Sequence, residues 1–96
     1  MNMHIKTTAE GCHLSVNIRI QSHTLLNLSD NDEGDIDLLP GITYRFEWFV
    51  FAGKAQAHAR IQAVVTPDNQ GFDPLDIDKN YPGGVQDGNV FLFTLS

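Results

Sequence analysis

The chain has 96 residues and a formal charge of -6, with six Lys and Arg against twelve Asp and Glu. That length makes one domain around one core. The acidic balance, and the scatter of Lys6, Arg19, Arg45, Lys54, Arg60 and Lys79, argue against nucleic acid and against an anionic membrane surface as partners.

The one cysteine, Cys12, excludes an intrachain disulfide. With no nucleophile signature around it, it reads as a small buried hydrophobe. "MNMHIKTTAEG" has no apolar h-region, and no apolar run approaches the ~20 residues that span a bilayer. The chain therefore reads as cytoplasmic, or as a domain of a longer protein.

In chain order, "MHIKT" predicts an N-terminal edge strand. "HLSVNIRIQS" alternates Leu14, Val16, Ile18 and Ile20 with Ser15, Asn17, Arg19 and Gln21, which predicts a strand with one wet face. "HTLLNL" predicts a second strand after a weak break at Gln21–His23. An acidic loop, 29–41, follows. "ITYRFEWFVF" then places Tyr44, Phe46, Trp48 and Val50 on one face, while Phe49 and Phe51 make its second half apolar on both. That predicts a central strand, more deeply buried towards its end.

Gly53-Lys54 suits a two-residue type II′ hairpin loop. In "AQAHARIQAVVT", Ala55, Ala57, Ala59, Ile61, Ala63 and Val65 alternate with polar residues. Alanine favours a helix, but strict alternation spoils a helical stripe, so a strand is predicted. Residues 67–88 are rich in turn signals ("PDNQG", "NYPGG", "QDGN") and predict a long loop with a short strand at "PLDI". "NVFLFTL" is apolar on both faces, as an interior strand or an edge awaiting a partner would be. Six or seven short antiparallel strands with turns between them indicate an all-β sandwich or small barrel.

Ten of the twelve carboxylates fall in two segments. Asp30, Asp32, Glu33, Asp35 and Asp37 form the first; Asp68, Asp73, Asp76, Asp78 and Asp87 form the second. If the hairpin at Gly53-Lys54 holds, both predicted loops lie at one end of the domain and make an acidic pole. Like charges so gathered repel one another. Solubility is the bland reading of such a pole. The functional one is a contact surface for a basic protein partner, using Asp30, Asp32, Glu33, Asp35, Asp37 and Asp73.

Leu38-Leu39-Pro40-Gly41-Ile42-Thr43-Tyr44 has the form L-x-P-G-x-x-Y. It resembles the tyrosine corner of fibronectin type III and related immunoglobulin-like domains, where the Tyr opens a strand and its hydroxyl bonds back to nearby backbone. "YRFEWFVFAGKAQAHARIQAVVTP" looks like the last two strands of that family. The resemblance covers Leu38 to about Pro67, under a third of the chain. It implies an immunoglobulin-like β-sandwich whose relatives mostly bind other proteins.

Calcium is the alternative. A calcium loop needs side-chain oxygens at alternate positions. "SDNDEGDIDLLPG" fails, because Asp30 and Asp32 fall between the ligand places and Pro40 stands where a Glu belongs. "DIDKNYPGGVQD" fits better, with Asp76, Asp78 and Asn80 at the first, third and fifth places and Asp87 at the twelfth. It has Tyr81 where the loop glycine belongs.

Several residues have plain readings. His13 and His58 fall on wet strand faces, so surface histidines are expected there rather than a zinc site. Trp48 among phenylalanines reads as core, with a stacking platform as the lesser reading. No nucleophile elbow, P-loop or H-E-x-x-H is present. The expectation is a non-enzymatic binding or assembly module without a cofactor. The alternatives are a calcium-dependent module, or a structural subunit that pairs through its doubly apolar last strand.

Overall fold

The computed structural model describes residues 1–96. Eight strands form: β1 (Asn2–Glu10), β2 (Cys12–Ile20), β3 (His23–Ser29), β4 (Asp32–Asp37), β5 (Thr43–Ala52), β6 (Ala57–Thr66), β7 (Leu75–Tyr81) and β8 (Gln86–Thr94). They make two four-stranded antiparallel sheets and no helix. Sheet A has the order β4-β1-β6-β7, and sheet B the order β3-β2-β5-β8.

The period-two pattern explains the two-layer packing. Inward residues of β2 and β5 (Leu14, Val16, Ile18, Tyr44, Phe46, Trp48 and Val50) are buried. They share one core cluster with Met3, Ile5, Ala57, Ala59, Ile61, Ala63 and Val65 from β1 and β6. Trp48 is core, as its alternation predicts. The helical alternative for 55–66 is not taken; β6 is extended.

Several expectations are overturned. The N-terminal strand is not an edge, because β1 lies between β4 and β6. The Gly53-Lys54 hairpin does not form. β5 pairs with β2 and β8 in sheet B, and β6 with β1 and β7 in sheet A. The 53–56 link therefore carries the chain across the sandwich, and the Gly53 N–H is bonded to Gly11 O at 3.0 Å, joining it to the β1–β2 crossing. Alternation reports which face a residue takes, but not which sheet its strand joins.

The two acidic loops are largely strands. Residues 32–37 form β4, the edge beside β1, and 75–81 form β7, the opposite edge of the same sheet. What remains of the long loop is 67–74 and 82–85, and the first of these is pinned. Phe72 is buried, with its ring centroid 5.0 Å from that of Phe93 and 6.3 Å from those of Phe46 and Phe91. Burying such a ring stabilises by about 1.5–3 kcal/mol. The Asn69 side chain accepts from the Ser96 and Gly71 N–H groups at 2.9 and 2.8 Å. A Cβ on Gly71 would lie 2.0 Å from Thr94 O, so the loop backbone lies directly against β8.

The last strand, β8, is an edge. It faces the core with Phe91 and Phe93 and solvent with Val90 and Leu92. The deep burial expected for the end of β5 also fails, because Phe49 and Phe51 are exposed.

Candidate functional site

The registers fix two ends of the sandwich. Links 38–42 and 67–74 lie at the Asn2 end of β1, and links 30–31 and 53–56 at its Glu10 end. The carboxylates are spread along this axis, so no single acidic pole forms. Asp37 pairs with Asn2 at one end, while Asp32 pairs with Thr7 towards the other. The interposed strand β4 is the physical reason: it turns the chain round once more than a loop would. Of the pole, only Asp68 and Asp73 remain together in a loop, with Asp37 at the adjoining strand end.

Four of the twelve carboxylates are held by partners on the outer face of sheet A. His4, on β1, reaches Asp35 Oδ1 at 2.8 Å and Glu33 Oε2 at 2.7 Å on β4. The hydrogen bonds to Asp35 and then Glu33 raise the His4 pKa. Across the sheet, Arg60 on β6 forks onto Asp76 at 3.0 and 2.8 Å, and His58 bonds Asp78. The Arg60 bond holds the Asp76 carboxyl below its usual range. These cross-strand pairs tie both edge strands to the inner pair.

Asp30 and Asp32 do structural work. Asp30 has φ +59° and accepts from the Leu14 N–H at 3.0 Å. Thr7 Oγ1 donates to Asp30 O at 2.6 Å and accepts from the Asp32 N–H at 3.1 Å. Between them, Asn31 accepts from the Ala9 N–H at 3.0 Å and donates to Ala9 O at 3.1 Å, standing in for a strand neighbour. The head of the acidic stretch is thus a turn stitched to β1 and β2.

Asp76, Asp78 and Asn80 are on β7 of sheet A and Asp87 on β8 of sheet B, so the structure divides the calcium candidates between the two sheets. The first three stand on one face of β7, about 6.6 Å apart in turn along the strand. Arg60 and His58 place their own donors on Asp76 and Asp78. Asp87 lies on the other sheet. It accepts from Tyr81 Oη at 2.8 Å, the Gly88 N–H at 2.8 Å and Lys79 Nζ at 3.3 Å. No group of three or more His, Cys, Asp and Glu is placed to hold a metal ion. Cys12 is free and half-buried; burial pushes its thiol pKa up, away from the thiolate a nucleophile needs.

The outer face of sheet B is different in kind. It carries few charges, Arg19 and Arg45 with Glu47 between them, while Asp87 of β8 stands opposite Val50 and turns inward to Tyr81. Sheet A instead sets Lys6, Arg60 and Lys79 against the four carboxylates of β4, together with Glu10, Asp76 and Asp78. On sheet B's outer face, Phe49 and Phe51 of β5 and Val90 and Leu92 of β8 are 48%, 47%, 55% and 66% exposed. The register places Phe49 opposite Gly88, Glu47 opposite Val90 and Arg45 opposite Leu92, so the four make an oblique apolar stripe.

Beside the stripe is an open depression of about 650 Å³, whose lining includes Ser15, Asn17, Glu47, Phe49 and Asn89. Asn27 donates to Asn17 Oδ1 at 2.6 Å, and Arg45 to Glu47 Oε1 at 2.9 Å, so its polar rim is ordered. No family model, curated protein or solved structure matches the chain. No helix is long and apolar enough to cross a membrane.

Sequence reasoning missed this face because Phe49 and Phe51 were counted towards burial. The signal was present in β8. A strand with Val90, Leu92 outward and Phe91, Phe93 inward at the end of a sheet must show one apolar row to solvent.

Proposed function

We propose that this chain is a non-enzymatic protein-binding or assembly module, working from the cytoplasm, whose contact surface is the outer face of sheet B. One observation carries the reading: the exposed row Phe49, Phe51, Val90 and Leu92 lies on the outer face with few charges, Arg19, Arg45 and Glu47, of which Glu47 pairs with both arginines. Contiguous exposed apolar surface with a polar rim marks interaction sites. Desolvating a face with few charges also costs less than desolvating a densely charged one.

The acidic residues take another part in this proposal. Asp35, Asp76 and their neighbours close the edges of sheet A and keep the chain soluble. An immunoglobulin-like kinship remains part of the proposal on one contact, the Leu39 N–H bonded to Tyr44 Oη at 2.9 Å.

Photo-crosslinking in cells tests the reading. A benzophenone side chain replaces Phe49 in one variant and Asp35, on sheet A, in another. Adducts from position 49 and few from position 35 are expected. Adducts from position 35 alone would overturn it.

A further inference from the structure

We infer that the outer face of sheet B docks against the same face of a second copy of this chain. This rests on the reading of that face as the contact surface, and names its occupant. Three observations carry it.

The first is charge. Each copy carries -6, so two copies repel unless their acid is kept apart. The outer face of sheet B carries a single carboxylate, Glu47, paired with Arg45 and Arg19, and the acidic face of sheet A points the other way. Docking through sheet B sets both acidic faces outward at the greatest separation the molecule allows. Docking through sheet A would bring Glu33, Asp35, Asp76 and Asp78 of both copies together.

The second is the state of the edges. Strand addition is the other route by which a β-protein meets its copy, and each edge is blunted. β4 and β7 carry carboxylates, and the Glu33 N–H is taken by Asp32 Oδ1 at 2.8 Å. β3 has an irregular register against β2 between Ile18 and Arg19. On β8, the Gly88 N–H is taken by Asp87 at 2.8 Å and the Val90 N–H by Asn89 at 2.9 Å. The apolar row of β8 therefore works through its face, and the expectation that this strand pairs by its edge gives way.

The third is shape and size. The stripe runs obliquely from Phe51 on β5 to Leu92 on β8, so a twofold axis along it sets apolar surface on apolar surface, as an isologous contact requires. Four strands at about 4.8 Å spacing and nine residues at about 3.3 Å present roughly 570 Å² per copy. The pair buries roughly 1,100 Å², just above the ~1,000 Å² that a specific interface needs. The dimer is therefore weak and reversible.

Sedimentation equilibrium on the purified chain, from about 10 µM to about 1 mM, tests this; weak interfaces dissociate in that range. The expected result is a rise from one chain of 10.7 kDa towards twice that mass. Raising NaCl from about 0.03 M to about 0.5 M should strengthen association several-fold, because salt screens repulsion between acidic copies and leaves apolar contact intact. Leu92→Glu and Phe49→Glu should each weaken it at least tenfold with unchanged far-UV circular dichroism, and Asp35→Asn should not weaken it. The unmodified chain alone is decisive if a variant fails to fold. A monomer throughout, or a dimer that salt weakens and both glutamate variants spare, overturns self-docking. If the chain is monomeric yet position 49 still crosslinks to other proteins in cells, self-docking fails and the binding reading stands. No adduct from position 49 removes both.

Discussion

Tyr81 and Asp87 join the two sheets at their open edge. The Tyr81 hydroxyl, on β7 of sheet A, donates to Asp87 Oδ2, on β8 of sheet B, at 2.8 Å. Lys79 adds a bond to the same oxygen and lies 5.5 Å from the Trp48 ring centroid, so it covers the core where the edges part. The pairing holds the Asp87 carboxyl below its ordinary range, chiefly through the Tyr81 bond, while burial pushes the Tyr81 pKa up.

Tyr81→Phe should lower unfolding free energy by about 1–2 kcal/mol, read by urea denaturation, because a partly buried carboxylate loses its strongest donor. A carboxyl depressed in the folded state stabilises above its unfolded pKa, near 3.8, and that contribution is lost as pH falls through the folded value. The variant should therefore show a flatter loss of stability below pH 4. An acid limb as steep as the parent's would count against this bond.

His4 titrates the other way. Its folded pKa is raised above 6.5 by Asp35 and Glu33. The stability it supplies is full below 6.5 and falls as pH rises through the folded value. The pair is exposed, which limits its size to about 1 kcal/mol or less. His4→Gln should flatten the fall in melting temperature on the alkaline side of pH 6.5. An unchanged profile would mean that β4 is held by its backbone ladder alone.

Calcium should leave the chain unmoved. Arg60 and His58 already hold Asp76 and Asp78, and Asp87 is committed to Tyr81. Melts at a few millimolar calcium and in chelator should coincide, since an ion that binds only the folded state must raise the melting temperature. A clear rise would require these pairs to open.

Much of the fold was legible. Strands β2, β5 and β6 follow from alternation and β8 from its run of apolar residues, and alternation also gives the inward positions of Trp48 and Phe46. β7 begins in the short strand expected at "PLDI" but runs on to Tyr81, through the calcium-like stretch. Alternate spacing of Asp76, Asp78 and Asn80 is common to a calcium loop and to one face of a strand. Leu75, Ile77 and Tyr81 at the intervening places decide for the strand, as each turns inward. β4 left almost no apolar signal. Its inward Gly34 is small because Leu28 and Leu26 of β3 fill that space; an added Cβ would meet them at 3.0 and 3.4 Å. With β4 unseen, the chain reversed one time too few, and the acidic pole followed from that error. The exposed stripe was hidden by the habit of assigning aromatic residues to a core.

The account turns on whether the face of sheet B is covered when the protein works. Hydroxyl-radical footprinting in cells, compared with the dilute purified chain, measures this residue by residue. Leu39, 63% exposed at the β4–β5 corner and not part of the stripe, is the internal reference. Phe49, Phe51 and Leu92 should react several-fold more slowly in cells while Leu39 reacts alike in both. Equal rates at Phe49, Phe51 and Leu92 in cells and in dilute solution would contradict it.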